Sequence, residues 1–276
     1  MTDLSTFKAG IIGWPVSHSR SPLIHNYWLE KHGISSQYGR YPIDPNDDFK
    51  AALGHLIAAG WSGANVTVPH KENAYRVSDQ LSDTALQLGA VNILRFDNGL
   101  IIGDNSDGYG FMANLIAGTS VEDWNGKIIN ILGAGGAARA IIVALAQAGV
   151  GEIRVYNRSR ERAEAMGTLA SNVLVRDWPA RHEALKDCDL LVNTTSLGMV
   201  GQPALEIDLG HMQGTVCDIV YAPLETPLLT RARALGLVSI DGLGMLLHQA
   251  VPAFEQWFGI RPQVDTALRT LILEDL

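Results

Sequence analysis

"IINILGAGGAARAIIVALAQAG" (residues 128–149) runs from a short, mostly apolar stretch through a glycine-rich turn into apolar residues at helical spacing. The stretch before the turn has the length and branched side chains of a buried strand, and the residues after it give one apolar helix face. The turn, Gly133 to Ala138, fits the pattern G-x-G-x-x-A. In a strand-turn-helix unit each small residue has a reason: Gly133 makes the tight turn, Gly135 lets the backbone approach a pyrophosphate, and Ala138 allows close helix-strand packing. A glycine pattern alone is equally an ordinary βα turn. The strand before it, and the helix and further strand after it, favour a dinucleotide-binding unit.

Downstream of this unit, "EIRVYN" (152–157), "DLLVNT" (189–194), "TVCDIVY" (215–221) and "LVSIDG" (237–242) continue the alternation of strand and helix. A sheet of about six strands is expected, as in doubly wound folds. Upstream, "AGIIG" (9–13), "SQYGRYPI" (36–43) and "GANVTVP" (63–69) read as strands, with a helix at 47–60 and another beginning at Ser21, the N-cap candidate, with Pro22 in its first turn. A helical stretch through residue 89 leads to two strands joined at Asp97-Asn98-Gly99, a hairpin signal, and then to a helix at 109–118. "GMLLHQAVPAFEQWFG" (244–259) and "VDTALRTLILEDL" (264–276) read as terminal helices with no strand after them. The expected fold is α/β: an N-terminal three-layer domain over 1–108, a Rossmann doubly wound parallel sheet over 109–242, and C-terminal helices over 243–276 returning to the first domain.

Composition narrows the function classes. The 276 residues are 47% hydrophobic, enough for sizeable cores, and 21 Lys and Arg stand against 29 Asp and Glu, a formal charge of -8. Such a field repels nucleic acid and anionic membrane, so any anionic ligand must be held by local groups. Cys188 and Cys217 form no CxxC pair, which fits a reducing compartment. Residues 1–10 carry no basic start followed by an apolar stretch, no run of 18 apolar residues occurs, and a soluble cytoplasmic protein is expected. His18, His25 and His70 lack the spacing of a zinc helix, and no metal is expected.

The strand after the glycine turn bears on cofactor choice. An NAD site usually places an acidic residue there for the ribose hydroxyls. In "VYNRSRERA" (155–163) the strand ends instead in Asn157, followed by Arg158, Ser159, Arg160 and Arg162. With a helix starting near Ser159, Arg158 and Arg162 flank one phosphate, and the Ser159 hydroxyl and the helix N-terminus complete a cradle. A solvated basic helix start is the plainer alternative; the position after the second strand favours NADP.

Several motifs then fall into a known order: "SHSRSP" (17–22), "GANVTVPHK" (63–71), "AVN" (90–92), "GDNSDG" (103–108), "GAGGAAR", "NRSRER", "NTTSLGM" (193–199), "DIVYAP" (218–223) and "DGLGMLLHQA" (241–250). In this order and setting the chain resembles the shikimate dehydrogenases over nearly its whole length. Taken singly, the residues have duller readings: Ser21 a helix cap, Ser19 a turn residue, Lys71 a surface lysine, Asp107 an Asp-Gly turn. Asn65 and Thr67, two apart on a strand, share a face.

The resemblance implies a division of labour. Ser19 and Ser21 match the hydroxyls that hold the substrate carboxylate; Asn65, Asn92 and Gln249 match the groups on the ring hydroxyls, with Thr67 and Tyr221 close by. Lys71 and Asp107 match the catalytic pair. Gly133, Gly135, Gly136, Ala137, Asn157, Arg158, Ser159 and Arg162 match the NADP contacts, and Thr194, Gly242 and Met245 match positions near the nicotinamide half. Ser106 and Ser159 stand where threonine is more frequent, and both keep a hydroxyl. The implied activity is reversible NADPH-dependent reduction of 3-dehydroshikimate to shikimate by a monomer or homodimer, a step toward aromatic amino acids. The alternatives are an NAD-dependent quinate or shikimate dehydrogenase and a non-catalytic NADP-binding regulator.

Overall fold

A computed structural model describes residues 7–121 and 123–276. The N-terminal six residues, part of the stretch read above for a leader, lie outside the described residues. The chain divides into two compact units, one of residues 1–106 with 249–275 and one of residues 107–248.

The first unit begins with β1 (Lys8–Gly13), α1 (Ser21–Lys31), β2 (Gln37–Pro42), α2 (Phe49–Ala58) and β3 (Gly63–Val66). It continues through α3 (Lys71–Val77), β4 (Gln80–Leu81), α4 (Asp83–Leu88), β5 (Ile93–Asp97) and β6 (Leu100–Asp104). The sheet order is β2-β1-β3-β5-β6-β4. β1 runs parallel to both its neighbours, while β3, β5 and β6 are antiparallel in turn. After Lys8 every residue of β1 is buried, as expected of a strand covered on both faces. Ile12, Val66 and Leu94 pack with Leu53 and Leu56 of α2 on one side. The hairpin closes where expected, with Asn98 and Gly99 at φ 50° and 82°, the left-handed pair that a tight two-residue turn needs.

In the second unit α5 (Asp107–Gly118) precedes β7 (Ile128–Leu132), α6 (Gly136–Gln147), β8 (Glu152–Asn157), α7 (Arg160–Gly167), β9 (Val173–Asp177) and a 3₁₀ segment, Trp178–Leu185. β10 (Leu190–Asn193), β11 (Thr215–Asp218), α8 (Pro227–Ala234), β12 (Ser239–Ile240) and α9 (Leu243–His248) follow. Six strands in the order β12-β11-β10-β7-β8-β9 pair in parallel throughout. Alternate residues serve opposite faces: Ile129, Ile131, Leu190 and Val192 pack with α5 and α6, while Leu132, Leu191 and Val216 pack with α8 and the 3₁₀ segment. This is the expected doubly wound Rossmann sheet.

The last two helices, α10 (Ala250–Phe258) and α11 (Thr266–Leu273), return to the first unit. Trp257 Nε1 donates to Leu94 O at 3.1 Å and Trp28 Nε1 to Gln263 O at 3.0 Å. Gly63 must lack a side chain, since a Cβ there would stand 2.2 Å from the Trp257 ring nitrogen. With α2 opposite, these helices complete three layers.

Three local expectations are corrected. Arg20, not Ser21, holds the N-cap position of α1, and Ser21 is its first helical residue; the preceding turn is closed by Ser19 Oγ, which accepts the Ser21 N–H at 3.3 Å. The stretch to residue 89 is two helices parted by β4, because Asp79 ties the chain to Ile101 at the edge of β6. The helix read over 244–259 is broken at Gln249, since Pro252 has no N–H for the His248 carbonyl. The part before the break, α9, belongs to the second unit, whereas the sequence reading starts the returning segment at 243. Gly244 allows α9 to lie against α5, where a Cβ would meet Asn114 Oδ1 at 1.8 Å. Among the described residues no helix is long and apolar enough to cross a membrane.

Candidate functional site

In the second unit a pocket opens at the carboxyl ends of β7, β8 and β10, where doubly wound sheets bind ligands. Gly133, Ala134, Gly135, Asn157, Arg158, Arg162, Trp178 and Thr194 to Leu197 line it. Gly133 adopts φ 110°, open to glycine alone, and a Cβ there would strike Thr194 Oγ1 at 2.5 Å. The N-cap of α6 is Gly135, in extended conformation with no side chain to satisfy the first N–H groups, and nothing lies within 4 Å of where its Cβ would be. Backbone donors and the helix dipole are therefore presented to the pocket mouth, a cradle suited to a pyrophosphate.

The three arginines beyond β8 are not equivalent. Arg160 donates to Glu164 at 2.9 Å and to Asp177 at 2.7 Å, away from the pocket. Arg158 and Arg162 line the pocket and have no acidic partner among the described residues. No carboxylate is among the residues that line it. Asn157 donates to Ser159 O at 2.9 Å, and the Ser159 hydroxyl accepts from Arg162 N–H at 3.4 Å. Ser159 thus caps α7 and is not among the lining residues. The residues present fit a dinucleotide with an additional phosphate.

Thr194 lines the pocket but its hydroxyl donates to Leu132 O at 2.8 Å. Gly136, Ala137, Tyr221, Gly242 and Met245 are not lining residues. Gly242 is glycine because a Cβ would fall 2.1 Å from Ile219 O, and Met245 packs against the core. Sequence reading did not select Trp178, which carries the Arg181 guanidinium 4.4 Å over its ring, nor Thr195 and Ser196. The latter two stand inside the quoted motif "NTTSLGM"; Trp178 follows the charged end of β9 and had no signal.

In the first unit three of the expected substrate residues, Asn65, Asn92 and Gln249 through its backbone carbonyl, fall into one hydrogen-bonded group. Asn65, at 9% exposure, accepts from the Tyr38 hydroxyl at 2.7 Å and donates to Asn92 O at 3.1 Å. The Asn92 amide accepts from Ser106 N–H at 2.9 Å and donates to its hydroxyl at 3.2 Å. That hydroxyl donates onward to Gln249 O at 2.8 Å. Ser106 thus joins the two stretches of chain that make up this unit, a role that sequence reading did not assign. Ser19 sits on the loop before α1 and Ser21 opens the helix, its side chain reaching the Tyr38 hydroxyl. The loop's arginine is spoken for: Arg20 pairs with Asp275 at 2.9 Å, and Arg40 donates to Ser19 O at 2.7 Å. A carboxylate here would meet two hydroxyls on backbone that Arg40 ties down at the Ser19 carbonyl.

Thr67 follows β3, its N–H bonded to Ile12 O at 2.8 Å, and is half-buried. Lys71 is the first residue of α3 and half-buried; Asp107, at 7% exposure, is the first residue of α5. Among the described residues no group of His, Cys, Asp or Glu could hold a metal ion.

Known proteins fit this arrangement. The model of the shikimate dehydrogenase substrate binding domain matches residues 11–94, that of shikimate / quinate 5-dehydrogenase residues 115–200, and that of the shikimate 5'-dehydrogenase C-terminal domain residues 242–272. The chain is 51% identical over 269 residues to the shikimate dehydrogenase (NADP(+)) of Paramagnetospirillum magneticum, covering 96% of this chain and 97% of that one. Among solved structures, the shikimate 5-dehydrogenase of Thermus thermophilus in complex with NADP(H) and shikimate superposes with a TM-score of 0.86 at 33% identity, covering 98% of this chain and 100% of that one. The quinate dehydrogenase of Corynebacterium glutamicum in complex with NAD superposes with a TM-score of 0.90 at 31% identity, covering 97% and 99%.

Proposed function

The chain belongs to the shikimate dehydrogenase family, and on that premise we propose that it reduces 3-dehydroshikimate to shikimate reversibly with NADPH. It is an oxidoreductase, and its cofactor is NADP. The observation that carries the cofactor choice is the pocket of the second unit, where Arg158 and Arg162 stand without acidic partners among the described residues and no lining carboxylate awaits an unphosphorylated ribose. NADPH, when bound, supplies the hydride.

This chain's residues do the rest. Ser19 and Ser21 hold the ring carboxylate by hydroxyl donors, while Asn65, Asn92 and Gln249 orient the ring through its hydroxyls. As the ketone is reduced, negative charge grows on its oxygen; the Lys71 ammonium stabilises that charge and donates the proton that completes the alcohol. Asp107 holds Lys71 in place or shares its proton. The balance is one ketone, one NADPH and one proton giving one secondary alcohol and one NADP⁺.

The test is the loss of NADPH absorbance when 3-dehydroshikimate is added to the purified protein, with NADH in parallel. Consumption of NADPH in proportion to ketone is expected. Consumption of neither cofactor sinks the proposal, and a preference for NADH makes the protein an NAD-dependent relative.

A further inference from the structure

Tyr38 is the single buried position of β2, and nothing in the glycine or serine motifs selects it. Its ring stacks on the His25 imidazole, centroids 4.2 Å apart and planes 7° apart. His25, with no exposure and pushed by burial down to about 3, stays neutral, and it packs edge-on to Trp28 at 5.8 Å and beside Trp257 at 5.5 Å. Asn65 approaches the imidazole, but neither ring nitrogen completes a hydrogen bond. An apolar, aromatic layer thus fixes the Tyr38 ring from behind.

The polar end of Tyr38 emerges from this layer at one point. Its hydroxyl donates to Asn65 Oδ1 at 2.7 Å and meets the side chain of Ser21. Burial keeps the phenol protonated, hence a donor, at any working pH. On its other side the Asn65 amide donates to Asn92 O at 3.1 Å. Turning the amide over would set two carbonyl oxygens face to face at that distance and remove the acceptor from a buried hydroxyl. One N–H of Asn65 is then left for a ligand, while its oxygen is committed inward. The Ser21 hydroxyl, resting on the Tyr38 oxygen, can turn to a carboxylate without leaving another buried proton unpaired.

We propose that Tyr38 is a positioning residue of the substrate site: it fixes Asn65 as a hydrogen-bond donor toward a ring hydroxyl and aligns Ser21 toward the carboxylate, touching neither itself. The proposal rests on shikimate being the substrate, so wild-type turnover of shikimate with NADP is measured first; its absence defeats that premise, not the role of Tyr38. Given wild-type turnover, Tyr38→Phe keeps the stacked ring and removes the hydroxyl. The expected result is a rise in KM for shikimate of about tenfold with kcat changed less than about threefold and KM for NADP unchanged. In an Asn65→Ala background the same change should raise KM by less than about threefold, because Tyr38 acts largely through Asn65. Wild-type KM in Tyr38→Phe, or an equal rise in both backgrounds, overturns the proposal. Binding to the wild-type protein provides a test independent of any variant's folding. Shikimate analogues with fluorine in place of the 4- or 5-hydroxyl accept a hydrogen bond, and those with an ammonium there only donate. At one of the two positions the fluoro analogue should inhibit at least about tenfold more strongly than the amino analogue; no such difference at either position also overturns it.

Discussion

Arg160 stands between two pocket arginines and differs from them in having partners, Glu164 and Asp177, on the solvent side. The difference makes it a built-in control. Replacing Arg158 or Arg162 with alanine removes a charge-assisted contact worth about 1.5–3 kcal/mol, a loss of roughly tenfold to a hundredfold in NADP affinity with little change for NAD. Arg160→Ala loses only solvent-exposed ion pairs and should leave both affinities alone. Titrating both cofactors into the three variants checks this, and equal losses for NADP and NAD would assign the arginines to structure. At Lys71, methionine keeps most of the stem and removes the charge. On the order of 10²- to 10⁴-fold should be lost from kcat with little change in KM, measured after circular dichroism shows the variant folded.

Between elements, α1 and α11 are joined through one carboxylate. Asp265 caps α11 by accepting Leu268 N–H at 2.8 Å, accepts from the Tyr27 hydroxyl at 3.0 Å, and pairs with Lys31. The Lys31 ammonium, foremost, holds Asp265 down to about 2. A carboxylate depressed in the fold stabilises it above its unfolded pKa near 4, and that contribution drains as pH falls toward about 2. Asp265→Ala should therefore lower the melting temperature at pH 7 through loss of a cap worth about 1 kcal/mol and the ties to α1, with the gap to wild type narrowing below about pH 4. A gap independent of pH would show that the charge contributes nothing. Elements of this length were legible in the sequence because period and punctuation agree: α6 shows in its apolar face, and the β5-β6 hairpin in Asn98-Gly99. The two-residue β4 is too short to carry a period, and the break at Gln249 depends on a proline three residues later. The pocket of the second unit was legible where chemistry needs a recurring residue pattern, as in Gly133, Asn157 and Arg158. Tyr38 and Ser106 are joined to partners distant in sequence, which no local spacing reveals.

The whole chain is negative while its ligands are anions, so local groups must overcome the field. Of the two cofactors only NADP adds a phosphate at the arginine pair. Raising salt from about 0.05 to 0.5 M, which shortens the screening length severalfold, should thus raise KM for NADP more than KM for NAD. What separates an NADP-dependent shikimate dehydrogenase from its quinate- and NAD-using relatives is kcat/KM on one preparation for shikimate and quinate, each with NADP and with NAD. Shikimate with NADP should exceed shikimate with NAD by on the order of 10²-fold or more, from two charge-assisted contacts, and should exceed quinate with either cofactor. Equal or better turnover with NAD, or of quinate, would overturn the assignment.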